Sequence, residues 1–333
     1  MAELTVVIPT LGRPEKLGRA LERLDRQDAD RADFAVIVAV DAAEPSIEAT
    51  RALVGERGFD IRVLQAERAG ASAARNLAWR SAATTLILFI DDDVLAGPGL
   101  IAAHLDWHHR YPDANVGVLG DLRWAAELRV TAFMRWLENG IQFDYPNIDG
   151  IDAGWGRFYT ANASVKRSLL ELAGGFDEIN LPFGNEDIEL AYRMQRHGFR
   201  LLYARDAEAE HLHAMDLDMW QARVRRIAFA EHRLCRLHPE IAPYFHRLFS
   251  QASAAEPASG RGRHLTALVG KDAPLIGPRA WSSANLYYLQ RLAPSFLAAW
   301  AQASSRTPDP GGAQPDLSER SVASSDGSPP SGP

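Results

Sequence analysis

Residues 86–94 read Leu-Ile-Leu-Phe-Ile-Asp-Asp-Asp-Val and join an apolar run directly to an acidic triplet. The five consecutive apolar residues predict a strand that is buried on both faces, which indicates a parallel sheet covered by helices. Three carboxylates, Asp91, Asp92 and Asp93, follow without a gap. They fall just past the carboxyl end of the strand, where open α/β sheets bind their ligands.

Neighbouring carboxylates repel one another, so we expect the triplet to face water or to hold a cation. Oxygen ligands suit Mg²⁺ or Mn²⁺, which commonly bridge to the phosphates of a substrate. Asp is also common in loops and in the first turn of helices, and residues 98–110 predict a helix just after the triplet. Both interpretations stay open at this point.

Length and composition indicate a globular protein. The chain has 333 residues, 47% of them hydrophobic, which is enough for one large or two ordinary domains. A net charge of -7 argues against a nucleic-acid-binding surface, because phosphate binding requires clustered Lys and Arg. The single cysteine, Cys235, cannot form an intrachain disulfide, so a cytoplasmic location fits best.

The sequence predicts no membrane-spanning segment and no signal peptide. The amino terminus lacks a basic segment followed by a long apolar one, and no run reaches the roughly 18 apolar residues that a spanning helix requires. We therefore expect a soluble protein, with peripheral contact to a membrane left open.

Strands and helices alternate in the first third of the chain. The predicted strands are residues 4–9, 34–40, 61–64 and 86–90, with helical patterns between them. This order predicts a doubly wound α/β layer whose ligand-binding loops share one edge, at Thr10, Asp41, Arg68 and Asp91. The glycine fingerprint of dinucleotide folds and the Walker lysine pattern are both missing after the first strand, which argues against an NAD enzyme and a P-loop NTPase.

The second half of the chain gives weaker patterns. We predict strands at 115–119, 158–163 and 200–203, and helices at 131–138, 165–172, 186–197 and 217–250, the last with many arginines facing outward. Residues 139–157 are rich in Gly, Asp and aromatics and predict an ordered loop over the site. Residues 252–282 predict a surface loop, and the tail after 302 predicts disorder. Residues 285–300 predict an amphipathic helix whose face is not basic, which favours packing on the core over contact with a membrane surface or a partner.

A second acidic pair, Glu186 and Asp187, opens the helix for which Asn185 is the predicted N-cap. Taken alone, the two acids would merely complement the helix dipole. They follow a Pro-Phe-Gly loop, however, and precede a strand that returns toward the sheet edge. His211 and His213 come just after that strand.

Five motifs in one order resemble family 2 glycosyltransferases of the GT-A fold over about the first 215 residues. They are Val7-Ile8-Pro9-Thr10 with Arg13-Pro14, Ala73-Ala74-Arg75-Asn76, Asp91-Asp92-Asp93, Gly174-Gly175-Phe176-Asp177-Glu178, and Asn185-Glu186-Asp187. The resemblance implies a catalytic domain over residues 1–215. The patterns that follow it predict a helical extension over 216–300, as a possible surface for the acceptor or for a partner, and a disordered tail over 301–333. The resemblance also implies transfer of a sugar, with inversion, from a nucleotide-diphosphate sugar to an acceptor hydroxyl, with Mg²⁺ or Mn²⁺ as cofactor.

The resemblance assigns the donor pocket residue by residue. Pro9, Thr10 and Arg13 would line the nucleotide pocket, and Asp41 would contact the base. Many family members have two acids at that place, whereas this chain has Val40 before Asp41, so the identity of the base stays open.

The implied diphosphate and metal residues come from the next two motifs. Arg75 matches the arginine near the diphosphate, with Arg68 as a competing candidate. Asp91 and Asp93 match the two acids of the family's Asp-any-Asp signature, with Asp93 as the main metal ligand. Asp92 would help to hold the ribose or the sugar.

The last motif implies the catalytic base. Asp187 matches the acid that would take the proton of the acceptor hydroxyl, with Glu186 beside it. An ordinary aspartate has a pKa of about 3.9, so we expect Asp187 to be ionised at neutral pH. His211 matches a position that contacts the metal or the diphosphate, and His213 is the alternative to it.

Two other functions compete with this interpretation. A sugar-nucleotide nucleotidyltransferase would carry a glycine-rich loop with basic residues after the first strand, which residues 9–14 do not supply. An inactive sugar-nucleotide-binding scaffold is the other, and the intact Asp91, Asp93 and Asp187 speak against it. The donor sugar stays open, as does the acceptor, which would be a glycan, a lipid-linked molecule or a small molecule selected by the loop at 139–157 and the helices after His213.

Overall fold

The structure is a computed structural model that describes residues 2–258 and 277–305, and residues 277–280 are described by their backbone only. Its centre is one eight-stranded sheet with the strand order β3-β2-β1-β4-β7-β6-β8-β5. The strands are β1 Leu4–Thr10, β2 Phe34–Val40, β3 Asp60–Gln65, β4 Leu86–Ile90, β5 Val94–Ala96, β6 Val116–Trp124, β7 Asn162–Lys166 and β8 Arg200–His211.

Helices cover this sheet and continue beyond it. They are α1 Pro14–Leu24, α2 Ile47–Val54, α3 Ala71–Ser81, α4 Leu100–Arg110, α5 Ala132–Leu137, α6 Arg167–Ala173, α7 Glu186–Met194, α8 Leu217–Leu237, α9 Tyr244–Ala254 and α10 Gly277–Ser305. Within the described ranges, no helix is both long enough and apolar enough to cross a membrane.

The first half of the sheet is parallel, as predicted. Strand β1 pairs in parallel with β2 and β4, and β2 pairs in parallel with β3. Every residue of β1 and β4 is buried, because helices cover both faces of these strands. The carboxyl ends of β1, β2 and β4 therefore bring Thr10, Asp41 and Asp91 to one edge of the sheet.

The second half of the sheet is mixed, and it brings the end of β8 next to the acidic triplet. Strand β7 runs antiparallel to β4 and β6, while β6 and β8 are parallel. The short strand β5 begins directly after the acidic triplet and pairs with the end of β8, so that Val94 faces His211. The amide of Leu212 also donates to the carbonyl of Asp93 at 2.7 Å.

Several element boundaries differ from the sequence prediction. Strand β7 begins at Asn162, four residues later than predicted, because Asn162 and Ser164 are buried polar residues that mask the strand pattern. Strand β8 continues from the predicted end at Tyr203 to His211, and β5 was not predicted. The predicted helix over 217–250 is two helices, separated by a segment that contains Pro239 and Pro243.

The prediction of a surface loop over residues 252–282 is wrong at both of the ends that the structure describes. Helix α9 continues to Ala254, and α10 begins at Gly277. Residues 259–276 lie outside the described residues. The predicted disordered tail is helical up to Ser305, and residues 306–333 also lie outside the described residues.

A second core forms between α5, α8, α9 and α10. Its largest fully buried side chains are Trp136, Trp220, Phe249 and Phe296. The prediction that the last helix packs on the protein is therefore confirmed over its described side chains. Because this core also includes Trp124, packing continues across residue 215, and the predicted domain limits stay a prediction.

Replacing Phe296 by Ala is expected to lower the free energy of unfolding by about 3 to 5 kcal/mol, because its ring is fully buried and lies 4.8 Å from the ring of Phe249. The matched control is Leu172→Ala at a position that is 64% exposed, with an expected change of about 0.5 kcal/mol or less. Urea denaturation measures both. Equal losses in the two variants would contradict the docking of α10.

Candidate functional site

Two side chains at and just after the end of β1 contact the middle carboxylate of the acidic triplet. The Thr10 hydroxyl donates to Oδ2 of Asp92 at 2.7 Å, and the Arg13 guanidinium lies 2.8 Å from Oδ1. Asp92 is fully buried. Burial raises the pKa of Asp92 to about 7, even though Arg13 lowers it.

Asp93 lies at the centre of a cluster with two histidines. Its Oδ2 is 2.9 Å from Nδ1 of His213 and 2.6 Å from the Arg13 guanidinium, and its Oδ1 is 3.5 Å from Nε2 of His211. Burial opposes the ionisation of Asp93, but the two imidazoles and Arg13 outweigh it and hold its pKa well below its usual range. Asp93 is therefore a carboxylate at neutral pH.

The cluster of Asp93, His211 and His213 fits a divalent metal ion. One ligand atom from each of the three lies within 4.8 Å of the others. Nδ1 of His211 is buried and has no hydrogen-bond partner among the described residues. Lys16 and Arg13 also lie against Asp93, at 3.7 and 2.6 Å, as expected where negative charge attracts cations. A carboxylate with two imidazoles is a donor set that manganese accepts in proteins.

Asp91 lies outside this cluster and contacts Arg75 instead. The Arg75 guanidinium donates to Oδ1 of Asp91 at 2.9 Å, and the same group donates to Oε1 of Glu186 at 2.7 Å. The structure thus brings the two acidic motifs together across one buried arginine. The predicted metal role of Asp91 stays a prediction.

Burial and charge compete at Arg75. Burial lowers its pKa, but Asp91, Glu186 and Asp187 outweigh burial and raise the pKa above the ordinary value. Its Nε has no partner within the described part of the chain, and Phe176 lies 5.8 Å from the guanidinium carbon. The arginine is therefore held by charge pairs on one side and by an aromatic ring on another.

The neighbouring Asn76 explains why the Gly-Gly-Phe segment lies here. Its side chain donates to the carbonyl of Phe176 and accepts from the amide of the same residue, both at 2.9 Å. Gly175 has φ +75° and lies so close that a Cβ atom would be 2.5 Å from Oδ1 of Asn76. The glycine thus lets the chain that precedes α7 pack against α3.

Helix α7 presents Glu186 and Asp187 from a strained start. Asn185 has φ 57°, the one positive φ outside glycine among the described residues. Its side chain makes no capping hydrogen bond, so the predicted N-cap role is wrong in that respect. The left-handed backbone conformation of Asn185 marks the start of the helix instead, and sequence spacing does not reveal that conformation.

The environment of Asp187 differs from the one we expected. Burial raises its pKa to about 7, and Glu186 adds to the shift, while Arg75 lowers it in part. The expectation of an ordinary aspartate pKa is therefore wrong. Asp187 is poised to change its protonation state near neutral pH.

The remaining predicted donor residues lie along the edge of β1 and β2. Asp41 is buried, and its two carboxylate oxygens accept from the amides of Ala43 at 2.8 Å and Gly70 at 2.7 Å. Pro9 is buried within β1, whereas Arg68 is exposed. Of the two candidate diphosphate arginines, Arg75 is the one placed beside the acidic triplet.

Aromatic side chains hold His211 in place. Trp124 stacks on its ring at 5.5 Å, and Phe143 meets it edge-on at 5.9 Å. Phe143 belongs to the aromatic-rich segment predicted over the site, and Trp155 from the same segment lies 5.6 Å from the ring of Tyr192 on α7. Sequence reasoning missed Trp124 and also Lys16, which lies one helical turn after Arg13.

The comparison with known families agrees with the site. The model for glycosyltransferase-like family 2 matches residues 2–230. The chain belongs to this family.

The curated relatives of the chain are longer than the chain. It is 30% identical over 277 residues to validoxylamine A glucosyltransferase of Streptomyces hygroscopicus subsp. jinggangensis, covering 72% of this chain and 62% of the relative. The uncharacterized glycosyltransferase YfnE of Bacillus subtilis is 25% identical over 260 residues, covering 62% of this chain and 64% of that protein. The chain thus spans less than two thirds of the length of these relatives.

Solved structures share the fold. The mannosyltransferase PcManGT from Pyrobaculum calidifontis, in complex with GDP-Man and Mn²⁺, superposes with a TM-score of 0.54 at 20% identity, over 92% of this chain and 76% of that one. S. aureus TarS in complex with UDP-GlcNAc gives a TM-score of 0.51 at 15% identity, over 91% and 92%. The GT-A fold implied by the sequence motifs is confirmed.

Replacing Arg75 by Met is expected to lower the free energy of unfolding by about 3 to 5 kcal/mol, because it leaves two carboxylates, one of them buried, without their shared counter-ion. Arg80→Met, on the same helix, removes an exposed contact with Glu178 and should cost about 1 kcal/mol or less. Denaturant unfolding of both variants measures the difference. A cost at Arg75 no larger than that at Arg80 would show that the bridge does not hold the two motifs together.

Proposed function

We propose that this protein transfers a sugar from a nucleotide-diphosphate sugar to the hydroxyl of an acceptor, with inversion at the anomeric carbon. The observation that carries the proposal is the Arg75 bridge, which joins the acidic triplet after β4 to the start of α7. A donor held at the triplet is then next to Asp187. Family membership supports the reaction class, and the GDP-Man and UDP-GlcNAc complexes of the two structural relatives support the donor class.

The donor pocket in this proposal follows the edge of the sheet. Pro9, Thr10 and Asp41 would surround the nucleoside, while Arg13 reaches from the same loop to the acidic triplet. Because Thr10 and Arg13 already fix Asp92, the triplet is positioned before the donor binds. A carboxyl whose pKa is raised by burial, such as Asp92, is well suited to hydrogen-bond a sugar or ribose hydroxyl.

Asp93, His211 and His213 would hold the divalent ion. When bound there, the ion supplies positive charge that offsets the charge of the diphosphate. The two imidazole donors favour Mn²⁺ over Mg²⁺, because magnesium prefers oxygen ligands. PcManGT was solved with Mn²⁺, which agrees with this preference.

Asp187 is the base in the transfer step. As the acceptor oxygen forms its bond to the anomeric carbon, Asp187 takes the hydroxyl proton. The bond from that carbon to the diphosphate oxygen breaks, and its electron pair leaves with the nucleoside diphosphate. The acceptor attacks from the face opposite the leaving group, so the configuration inverts. A cytoplasmic location stays a prediction from the sequence, and the identity of the acceptor stays open.

Release of nucleoside diphosphate from UDP, dTDP and GDP sugars with Mn²⁺ tests the function. The wild-type protein should cleave at least one donor, and chelation or Asp93→Asn should reduce cleavage by about 100-fold or more, because the main metal ligand is lost. His109→Ala, at an exposed histidine that pairs with Glu3, is the matched control and should leave cleavage unchanged. Binding of a donor without any cleavage would instead identify an inactive scaffold.

The pH dependence of donor cleavage tests the role of Asp187. Its pKa is raised to about 7, so below that pH the carboxyl is protonated and cannot accept a proton. With water as acceptor, kcat/KM should fall about tenfold per pH unit below 7 and level off above it. Asp187→Asn should reduce the rate by about 100-fold or more and abolish this slope. The same acid limb in the Asn variant would assign the titration to another group.

A further inference from the structure

Four buried polar side chains lie between helix α4 and strand β7. They are His104 and His108 on the helix and Asn162 and Ser164 on the strand, and none of them is more than 3% exposed. The proposed transfer step uses none of the four. Buried polar groups are normally satisfied by hydrogen bonds, so their partners show which parts of the molecule they hold together.

The side-chain amide of Asn162 fixes the direction of the whole network. Its Nδ2 donates to the carbonyl of Asp121 at 3.0 Å and to that of Ala207 at 2.9 Å, which uses both of its hydrogens. Oδ1 of Asn162 must therefore accept, and Nε2 of His104, at 3.0 Å, is the donor. Burial lowers the pKa of His104 to about 4, so at neutral pH its ring is uncharged and Nδ1 carries no proton.

The remaining hydrogen bonds then follow in one direction. Nδ1 of His104 accepts from the hydroxyl of Ser164 at 2.8 Å, and that hydroxyl accepts from Nε2 of His108, also at 2.8 Å. Burial lowers the pKa of His108 as well, so its Nδ1 accepts from Nζ of Lys166 at 2.8 Å. Lys166 also donates to the carbonyl of Tyr111. The network thus has one arrangement of its protons, which holds Asn162 in one orientation.

Asn162 bridges an irregularity between β6 and β8. Gly120 pairs with Ala204, but the next residue of β6, Asp121, pairs with Glu208, so β8 carries three additional residues at this point. The two carbonyls that Asn162 binds belong to the first residue of β6 after the irregularity and to the last additional residue of β8. Its side chain therefore joins the two strands where their own ladder is interrupted.

Helix α4 holds the additional residues of β8 through a second contact. Nε1 of Trp107 donates to Oδ1 of Asp206, the middle one of the three, at 2.9 Å. Packing is tight on the side of β6 too, because a Cβ atom at Gly120 would lie 2.6 Å from the carbonyl oxygen of Ala207. His104 and Trp107 together thus fix the irregularity from one helix.

The pairing beyond the irregularity determines where the metal cluster forms. Once the three additional residues of β8 are accommodated, Trp124 pairs with His211, and Val94 of β5 pairs with the same histidine. A shift of one residue in β8 would turn the side chain of His211 to the other face of the sheet, away from Asp93. The irregularity must therefore keep its exact length for the cluster to assemble.

We propose that His104, acting through Asn162, is a positioning residue that sets the register of β8 and thereby places His211 for binding of the divalent ion. This inference rests on the metal site proposed above. The side-chain partners of His104 are Asn162 and Ser164, so it acts on the cluster through the backbone of the sheet.

The affinity for Mn²⁺ without nucleotide, measured from the electron paramagnetic resonance signal of the free ion, tests the inference. His104→Leu removes the donor to Asn162 and should weaken Mn²⁺ binding about 10-fold, as expected for a group that orients a metal ligand indirectly. The side-chain amide in His104→Gln can still donate to Asn162, so this variant should bind Mn²⁺ within about threefold of the wild type.

His108→Leu is the matched control. It removes a second buried imidazole from the same helix, and this imidazole contacts Ser164 and Lys166 instead of Asn162. The melting temperature should fall by a similar amount in His108→Leu and in His104→Leu, whereas His108→Leu should bind Mn²⁺ like the wild type. The comparison separates positioning of the cluster from a general loss of stability.

A second measurement depends neither on the metal nor on the folding of a variant. Long-range ¹⁵N–¹H spectra of the wild-type protein at neutral pH should show His104 and His108 uncharged, each with its proton on Nε2. A proton on Nδ1 of His104 would reverse the direction of the network and overturn the inference.

Two results with the variants would also overturn it. Mn²⁺ binding by His104→Leu that is no weaker than by His108→Leu would show that His104 has no specific effect on the cluster. Binding by His104→Gln as weak as by His104→Leu would show that the hydrogen bond to Asn162 is not the cause. If the wild-type protein binds no Mn²⁺, the proposed metal site itself fails, which is distinguishable from both results.

Discussion

One buried guanidinium, that of Arg75, sets the geometry of the whole site. It pairs at 2.9 Å with Asp91 and at 2.7 Å with Glu186, which are separated by nearly a hundred residues in the chain. Without this cation, the two acidic motifs would repel each other across the cleft. The adjacent Asn76 fastens the same helix to Phe176, so the chain before α7 is held by charge and by hydrogen bonds at once.

Pairing of a three-residue strand supplies the second constraint. Strand β5 follows the triplet directly and aligns with the end of β8, which brings His211 and His213 to Asp93. The cleft then contains acids in different states. Asp93 stays ionised because the histidines and Arg13 outweigh its burial, while burial raises the pKa of Asp187 to about 7. An ionised carboxylate and one that titrates near neutral pH are thus produced from the same residue type by different surroundings.

The sequence predicted the parts of this arrangement that depend on local patterns. Strands β1, β2 and β4 are continuous apolar runs, and their ends correctly place Thr10, Asp41 and Asp91 on one edge. Strand β7 was misplaced because Asn162 and Ser164 satisfy their polar groups through His104, a partner far away in the chain. The raised pKa of Asp187 likewise depends on tertiary burial, which periodicity does not report.

The central claim is that the leaving group and the incoming oxygen occupy opposite faces of one sugar, with the metal cluster on one side and Asp187 on the other. Proton NMR of donor cleavage in the presence of Mn²⁺, with water as acceptor, tests it most directly. The anomeric signal of the first free sugar is read before mutarotation mixes the two forms. An α-linked donor should first release the β-anomer, and initial release of the α-anomer would contradict the account.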